Sequence, residues 1–324
     1  MKSTSRREFL VASAASGIVL SGCRAQTNAD WVKYSGNPVL GGSLGTCFDI
    51  CVLKVAEGFR MWFSWRPQKS VARTDSPDGI HWSKPEIAIG PVPGSAWEQN
   101  VDRPVVVERA DGLHMWYTGQ NDKQSFIGYA RSSDGVVWQR VQTDPVLVPA
   151  SPWEGVAVMA PHVMWDEEMK LFRMWYSGGE QFEPNAIGYA TSADGIHWER
   201  RQDNPVLRPD PAISWEKERV TAAQVVKHGS EYYAFYIGFR DVNHAAIGIA
   251  RSQDGITNWE RHPLNPIIDS SLMGWDHSAC YKPYAIYDKD RWMLWYNGRA
   301  NGKEQIGLAT HMGQDLGFPR SHSL

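Results

Sequence analysis

Apolar residues recur along this chain in short alternating runs rather than in helical stripes, a pattern that predicts strands almost throughout. One polar turn keeps returning between them. It reads Asp78-Gly79-Ile80-His81-Trp82, Asp134-Gly135-Val136-Val137-Trp138, Asp194-Gly195-Ile196-His197-Trp198 and, with one residue inserted, Asp254-Gly255-Ile256-Thr257-Asn258-Trp259. The four glycines are 56, 60 and 60 residues apart, and a period of that size has to be explained before any single residue. An alternating segment precedes three of the turns: Ile127-Gly128-Tyr129-Ala130, Ile187-Gly188-Tyr189-Ala190 and Ile247-Gly248-Ile249-Ala250. A fourth copy, Ile306-Gly307-Leu308-Ala309, has no Asp-Gly after it. Strand, Asp-Gly turn, strand predicts a hairpin.

Upstream in each repeat lies an aromatic strand: Met61-Trp62-Phe63, Met115-Trp116-Tyr117, Met174-Trp175-Tyr176, Ala234-Phe235-Tyr236 and Leu294-Trp295-Tyr296. Before it comes a strand rich in β-branched residues, such as Val105-Val106-Val107 or Val225-Val226, introduced by Trp97-Glu98, Trp153-Glu154, Trp215-Glu216 or Trp275-Asp276. The expected unit is a four-stranded antiparallel meander, and five such units repeated radially predict an all-β, five-bladed β-propeller. A sandwich would not need one strand order five times, and a solenoid would leave larger exposed end faces. The tryptophans then serve mainly to pack blade on blade. Trp138, Trp198 and Trp259 each stand seven residues before a proline, and so does Trp31 before Pro38. The segment around Asp30 to Tyr34 is therefore expected to be the outermost strand of the last blade, paired with Ile306 to Ala309. That exchange would close the ring without a loose edge.

Composition narrows the class. Of 324 residues 42% are hydrophobic and 21% charged, which excludes disordered and fibrous chains. With 33 basic against 36 acidic residues and no basic run beyond Arg6-Arg7, no nucleic-acid partner is expected. Residues 1–23 read as an export signal: Ser5-Arg6-Arg7-Glu8-Phe9-Leu10 is a twin-arginine pattern, and Phe9 to Leu20 is apolar but too short to span a membrane. Leu20-Ser21-Gly22-Cys23 resembles the lipobox of bacterial lipoproteins. Cys23 is thus the expected lipidation site and the only membrane attachment, holding an exported protein in the bacterial cell envelope. Residues 24–29 read as a short tether, 30–312 as the propeller and 313–324 as a tail. Cys47, Cys51 and Cys280 leave room for one disulfide at most, between Cys280 and one of the others, because Cys47 and Cys51 sit four apart on one strand. Their spacing is not that of a metal site, and neither metal nor cofactor is expected.

The succession Asn-Pro-Val-Leu, Trp-acid, Pro-x-Val, Met-Trp-Tyr-Ser-Gly, Ile-Gly-Tyr-Ala-x-Ser-x-Asp-Gly-Ile-x-Trp resembles the five-bladed propeller superfamily of glycoside hydrolases that includes families 43, 32, 68 and 130. The likeness covers residues 30–312. It implies catalytic carboxylates on the innermost strands, at the mouth of a central funnel. Aligning the inner strands by their repeat places Asp49, Asp102, Met159, Thr221 and Tyr281 in one column, and Ile50, Arg103, Ala160, Ala222 and Lys282 in the next. By the resemblance, Asp49 in Phe48-Asp49-Ile50-Cys51-Val52 is the base or nucleophile, and Asp102 a second funnel carboxylate that orients hydroxyls or tunes its neighbour. The pattern breaks on the third strand. Families 43 and 32 carry a glutamate before a small residue and a proline there, whereas this chain has Met159-Ala160-Pro161-His162.

Acid/base cleavage of a glycosidic bond needs two carboxyl groups of unlike protonation, so the acid is expected from a loop, Glu218 first and Glu180 next. Glu98, Glu154, Glu216 and Asp276 recur in the same slot of four repeats and are expected to be structural. Two aspartates crowded into one funnel are costly to bury without a use. Arg103 and Lys282 are either their ion-pair partners or ligands for an anionic group such as a uronate, sulfate or phosphate. His162 is either a hydrogen-bonded channel histidine or a ligand contact. The loops with Arg66, Gln120-Asn121-Asp122, Arg240-Asp241 and Arg299-Ala300-Asn301 supply planar polar groups for sugar recognition. Three functions follow: a glycoside hydrolase on an oligo- or polysaccharide, which leads, a phosphorylase or transferase like family 130, and a non-catalytic glycan-binding propeller. A monomer with a carbohydrate partner is expected.

Overall fold

The computed structural model describes residues 29–319. The expected export signal with Cys23 lies outside that range. The described residues form twenty strands and three short 3₁₀ turns, joined by loops. They fall into antiparallel meanders of four. After β1 (Val32–Lys33) the first unit contains β2 (Cys47–Val55), β3 (Gly58–Trp65), β4 (Ser70–Ser76) and β5 (Glu86–Ile89). The second has β6 (Asn100–Arg109), β7 (Gly112–Gln120), β8 (Ser125–Ser132) and β9 (Gln139–Arg140). β10 (Ala157–Asp166), β11 (Leu171–Gly179), β12 (Pro184–Ser192) and β13 (Glu199–Arg200) form the third. The fourth runs β14 (Arg219–His228), β15 (Glu231–Asp241), β16 (His244–Ser252) and β17 (Glu260–Arg261). β18 (Ala279–Asp288), β19 (Arg291–Ala300) and β20 (Lys303–Met312) form the last, which takes β1 as its fourth strand. A single parallel pair, Ser125 with Ala157, links the second and third units.

The N-terminal strand lands where its spacing predicts. Val32 pairs with Thr310 and Lys33 with Ala309, and the Tyr34 N–H donates to Leu308 O at 2.8 Å. The side chains repeat the logic of the other units. Glu98, Glu154 and Glu216 are buried, and each accepts a tyrosine hydroxyl from its own unit and an arginine from its outermost strand. Those arginines are Arg140, Arg200 and Arg261, at 2.9, 2.8 and 2.5 Å. In the last unit Asp276 takes the Tyr296 hydroxyl at 3.1 Å, and Lys33 of β1 stands in for the arginine at 2.7 Å. These repeated acids are structural, as their repetition implies.

Glycine makes room for the tryptophan beside each acid. Trp153 lies over β11 and β12 so closely that a Cβ on Gly178 or Gly188 would come within 2.5 Å of its ring. Other tryptophans join units. Trp116 Nε1 donates to Gly195 O at 2.9 Å and Trp175 Nε1 to Gly255 O at 2.8 Å, each tying one unit to the Asp-Gly turn of the next. Trp295 of the last unit reaches the first in the same way, to Gly79 O at 2.9 Å. Burying each such ring contributes roughly 4–6 kcal/mol before the entropy of ordering is counted.

Each inner strand carries a bulge, and the bulge corrects the expected columns. The register breaks between Phe48 and Cys51, Asp102 and Val105, Met159 and His162, Thr221 and Gln224, and Tyr281 and Tyr284. The equivalent of Asp102 in the first unit is therefore Phe48. Asp49 belongs with Arg103, Ala160, Ala222 and Lys282, all left-handed at φ of 54°, 51°, 48°, 50° and 52°. The expected column is off by one residue in the first unit, because hydrophobic alternation does not reveal which residue of the strand sits at the bulge. Such a conformation costs about 1–2 kcal/mol per non-glycine residue. It is held by the neighbouring unit: the Arg103, Ala160 and Ala222 N–H groups donate to Ser64, Thr118 and Ser177 hydroxyls at 2.8, 3.0 and 2.8 Å, and Asp49 N–H to Asn297 Oδ1 at 3.0 Å.

Candidate active site

The left-handed column opens into a cavity of about 230 Å³. Its two sides differ in chemistry. Asp49, Asp102, Arg103 and Lys282 line one side, from the first, second and last units, with Arg66, Glu304 and Arg299 nearby. Met159, Ala160, Ala222, Ile237, Phe239 and Ala245 line the other, from the third and fourth units. The methionine in place of an expected glutamate thus belongs to a continuous apolar wall.

Asp49 and Asp102 are brought together through Arg103. Its Nη1 donates to Asp102 Oδ1 at 2.7 Å, and its Nε lies 3.7 Å from Asp49 Oδ2. Ser64 ties the same groups from behind, donating to Asp49 Oδ2 at 3.3 Å while accepting the Arg103 N–H. Both carboxylates are buried, at 4% and 8% exposure. Burial, reinforced by the charge of Asp49, pushes Asp102 above the usual carboxylate range against the pull of Arg103. Burial also opposes the Arg103 charge, but Asp102 and Asp49 more than restore it, so the guanidinium is held firmly protonated. Lys282 is pulled down to about 8 by burial, with Asp49 working the other way.

A further carboxylate hangs over this cluster. Glu183, just before β12, lines the cavity beside the exposed Phe182. Burial raises its pKa, and Arg103, Arg299 and Arg219 only partly offset that. It makes no ion pair with any of them within 4 Å among the described residues. Glu304, by contrast, accepts the Tyr281 hydroxyl and lies 3.3 Å from Arg66.

Not every expected site residue gathers here. Glu218 is exposed and outside the cavity lining, and Glu180 is exposed and paired with Arg219 at 2.9 Å. Arg240 and Asp241 face solvent, paired with each other, and Asp241 also takes His244 at 2.7 Å. His162 sits below the cavity, where its ring Nε2–H donates to Val225 O at 2.8 Å, and burial pulls its pKa down to about 4. It is the hydrogen-bonded channel histidine of the two readings. Arg299 lines the cavity as expected. The residues missed are Glu183, Glu304 and Phe182. A signal for two of them existed, since Phe182-Glu183 is an aromatic-carboxylate pair in a loop without counterpart in the other repeats. Cys47, Cys51 and Cys280 are buried free thiols, so the disulfide for which the count left room is absent.

Comparison with known proteins agrees with this geometry. Residues 52–216 match the N-terminal domain of glycosyl hydrolases family 32, and the chain belongs to that family. An uncharacterized protein of Mycobacterium tuberculosis is 27% identical over 216 residues, covering 63% of this chain and 69% of that one. A β-1,2-mannobiose phosphorylase of Thermoanaerobacter sp. is 31% identical over 155 residues, 41% of this chain and 49% of the enzyme, so the chain spans about half of that relative. A thermostable family-43 glycoside hydrolase of known structure superposes with a TM-score of 0.68 at 17% identity, covering 84% of this chain and 91% of that one, a likeness of fold. The protein is an all-β, propeller-like member of a carbohydrate-active family.

Proposed function

We propose that the five units form a closed five-bladed propeller and that the protein is a glycoside hydrolase acting on an oligo- or polysaccharide. The observation that carries this is the gathering of Asp49, Asp102 and Glu183 in one cavity whose opposite wall is apolar. A sugar ring offers both kinds of surface, hydroxyls at its edge and C–H groups on its face. Asp49, neutralised by Arg103 and oriented by Ser64, acts as base or nucleophile. Glu183 replaces Glu218 and Glu180 as the general acid, because burial favours its protonated form and it faces the cavity. Asp102 holds Arg103 in place and orients hydroxyls. Export through residues 1–23 and a lipid on Cys23 would place this activity in the cell envelope.

The test is incubation of the protein with plant, algal and bacterial glycans, with and without inorganic phosphate, followed by product analysis. Free reducing sugar supports hydrolysis. Sugar phosphate formed only with phosphate present would make the protein a phosphorylase, and binding without turnover a lectin-like propeller. For a hydrolase, Asp49→Asn should lower turnover by orders of magnitude while the fold survives. Glu183→Gln should lower it by about 10²–10⁴ on substrates with poor leaving groups and far less on activated aryl glycosides. Absence of that leaving-group dependence would remove Glu183 from the acid role.

A further inference from the structure

The repeat supplies an internal reference against which the cavity can be read. Four of the five units place a polar side chain (Ser64, Thr118, Ser177 or Asn297) where it caps the left-handed residue of the next unit. The fourth unit has Ile237 at that position, opposite Thr221 in the ladder, and Ile237 lines the cavity. The left-handed residue it would have capped is Lys282. Two departures from the repeat therefore meet at one spot, an apolar residue in a polar slot and a lysine in a position that two other units fill with alanine.

Lys282 is nine-tenths buried and lines both the cavity and the narrow channel beneath it, so it stands at the cavity floor. Of the four cations lining the cavity, Arg103 is held by Asp102 and Asp49, and Arg66 by Glu304. Lys282 and Arg299 pair with no carboxylate within 4 Å among the described residues. The lining holds four carboxyl groups against these four cations. Once Glu183 carries the proton that a general acid must bring, the lining is net positive, and one of its two unpaired cations, Lys282, stands at the floor. Burying a charge without a partner is costly, and an incoming anion would remove that cost.

We propose that Lys282 is the floor of an oxyanion subsite and that the glycan bound here carries a carboxylate, that is, a uronic acid. The idea rests on the reading of the cavity as a glycan site and names its substrate class. A carboxylate fits better than inorganic phosphate for two reasons. One ammonium is a point charge matched to a monoanion, whereas the arginine forks that suit phosphate are engaged, Arg103 by Asp102, Arg66 by Glu304 and Arg299 through its Nη2 by the Asn243 carbonyl at 3.1 Å. Phosphate also has no apolar face to set against Ile237, Met159 and Ala222. A uronate ring presents its carboxylate and its C–H face together.

The experiment uses pairs of oligosaccharides that differ only in the acid: oligogalacturonate, oligoalginate and glucuronate-containing oligomers, each beside its carboxyl-reduced form. Titration calorimetry on the full chain should show at least one acidic member binding about tenfold or more tighter than its reduced partner. Lys282→Met should abolish that preference, so that the acidic and reduced forms bind the variant alike. The bound acidic oligomer, and not the reduced one, should also protect the Lys282 amine of the parent protein from acylation, read by mass spectrometry. That measurement stands even where Lys282→Met does not fold. The proposal is overturned if no acidic member outbinds its reduced form, if the preference survives in Lys282→Met, or if the amine is not protected. It is overturned in favour of phosphate if inorganic phosphate alone protects the amine and acidic glycans do not. Tight, Lys282-dependent binding without cleavage would sink the hydrolase assignment and leave this subsite standing, and cleavage of neutral glycans alone would do the reverse.

Discussion

Replacing Lys33 with methionine tests whether the N-terminal strand truly locks the last unit. Lys33 is 10% exposed and Asp276 1%, with 2.7 Å between Nζ and Oδ2. At that distance the gross attraction is about 6 kcal/mol for an effective dielectric constant of 20. Part is recovered in the variant, because Asp276 keeps the Tyr296 hydroxyl at 3.1 Å and water can enter from the exposed side. Lys33 also gives up Asp269 O at 2.6 Å and Ser271 Oγ at 3.1 Å. Breaking a buried pair from one side costs about 3–5 kcal/mol, and the lower figure is expected here. Over residues 29–319 the unfolding entropy is roughly 0.6 kcal/mol/K, so a loss of about 3 kcal/mol lowers the melting temperature by about 5 °C. Differential scanning calorimetry on the parent, Lys33→Met and the double variant Lys33→Met/Asp276→Asn measures this. The double variant should regain more than half of the loss, since no charge is left stranded. A single variant melting within about 1 °C of the parent would refute the argument, as would a double variant no more stable than the single one.

Two predictions concern groups beneath the surface, beside the outcomes for Asp49→Asn, Glu183→Gln and Lys282→Met. His162 has a folded pKa of about 4 against an ordinary value near 6.5. The unfolded chain therefore takes up a proton first as pH falls, and stability drops by up to about 3 kcal/mol between pH 6.5 and 4. Urea midpoints of His162→Gln should fall less steeply across that window than those of the parent, and equal slopes would contradict the assignment. Burial pushes the Cys47 thiol up to about 12 and the Cys51 thiol up to about 11, with Cys280 raised further. Ellman's reagent at pH 8 should miss all three in the native protein and gain three thiols on denaturation; rapid native reaction of any of them would show that its burial is transient.

Most of the fold is legible in the repeat, and for a physical reason. Four of the five units solve the same packing problem with the same kinds of residue, so Trp153 over Gly178 and Gly188, or Glu154 under Tyr176 and Arg200, leaves a trace that recurs from the second unit to the last. The Trp31-to-Pro38 spacing places the N-terminal strand because that strand answers to the same constraint, down to Lys33 on Asp276. The site is legible only where a charge stands on an inner strand, as with Asp49, Asp102, Arg103 and Lys282. The bulge hides the alignment of Asp49 with Arg103, since a left-handed residue changes which way a side chain points without changing the hydrophobic pattern.

Glu183 escapes the sequence pattern for a related reason, and it shows where function has to be sought in such a molecule. A feature that recurs in all units satisfies packing and cannot single out one reaction centre. The informative positions are those that packing leaves free to differ: Met159 where the related families carry a glutamate, Ile237 where the other units place a polar cap, Lys282 where two other units have alanine, and Phe182-Glu183 in a loop without counterpart. All of them line the one cavity. Four of the five left-handed residues keep a cap from the neighbouring unit, as Ser177 holds Ala222 and Asn297 holds Asp49, and the uncapped one is Lys282 beside Ile237. Specificity can therefore change one side chain at a time at the floor of the cavity while the tryptophans and buried acids keep the units packed against one another.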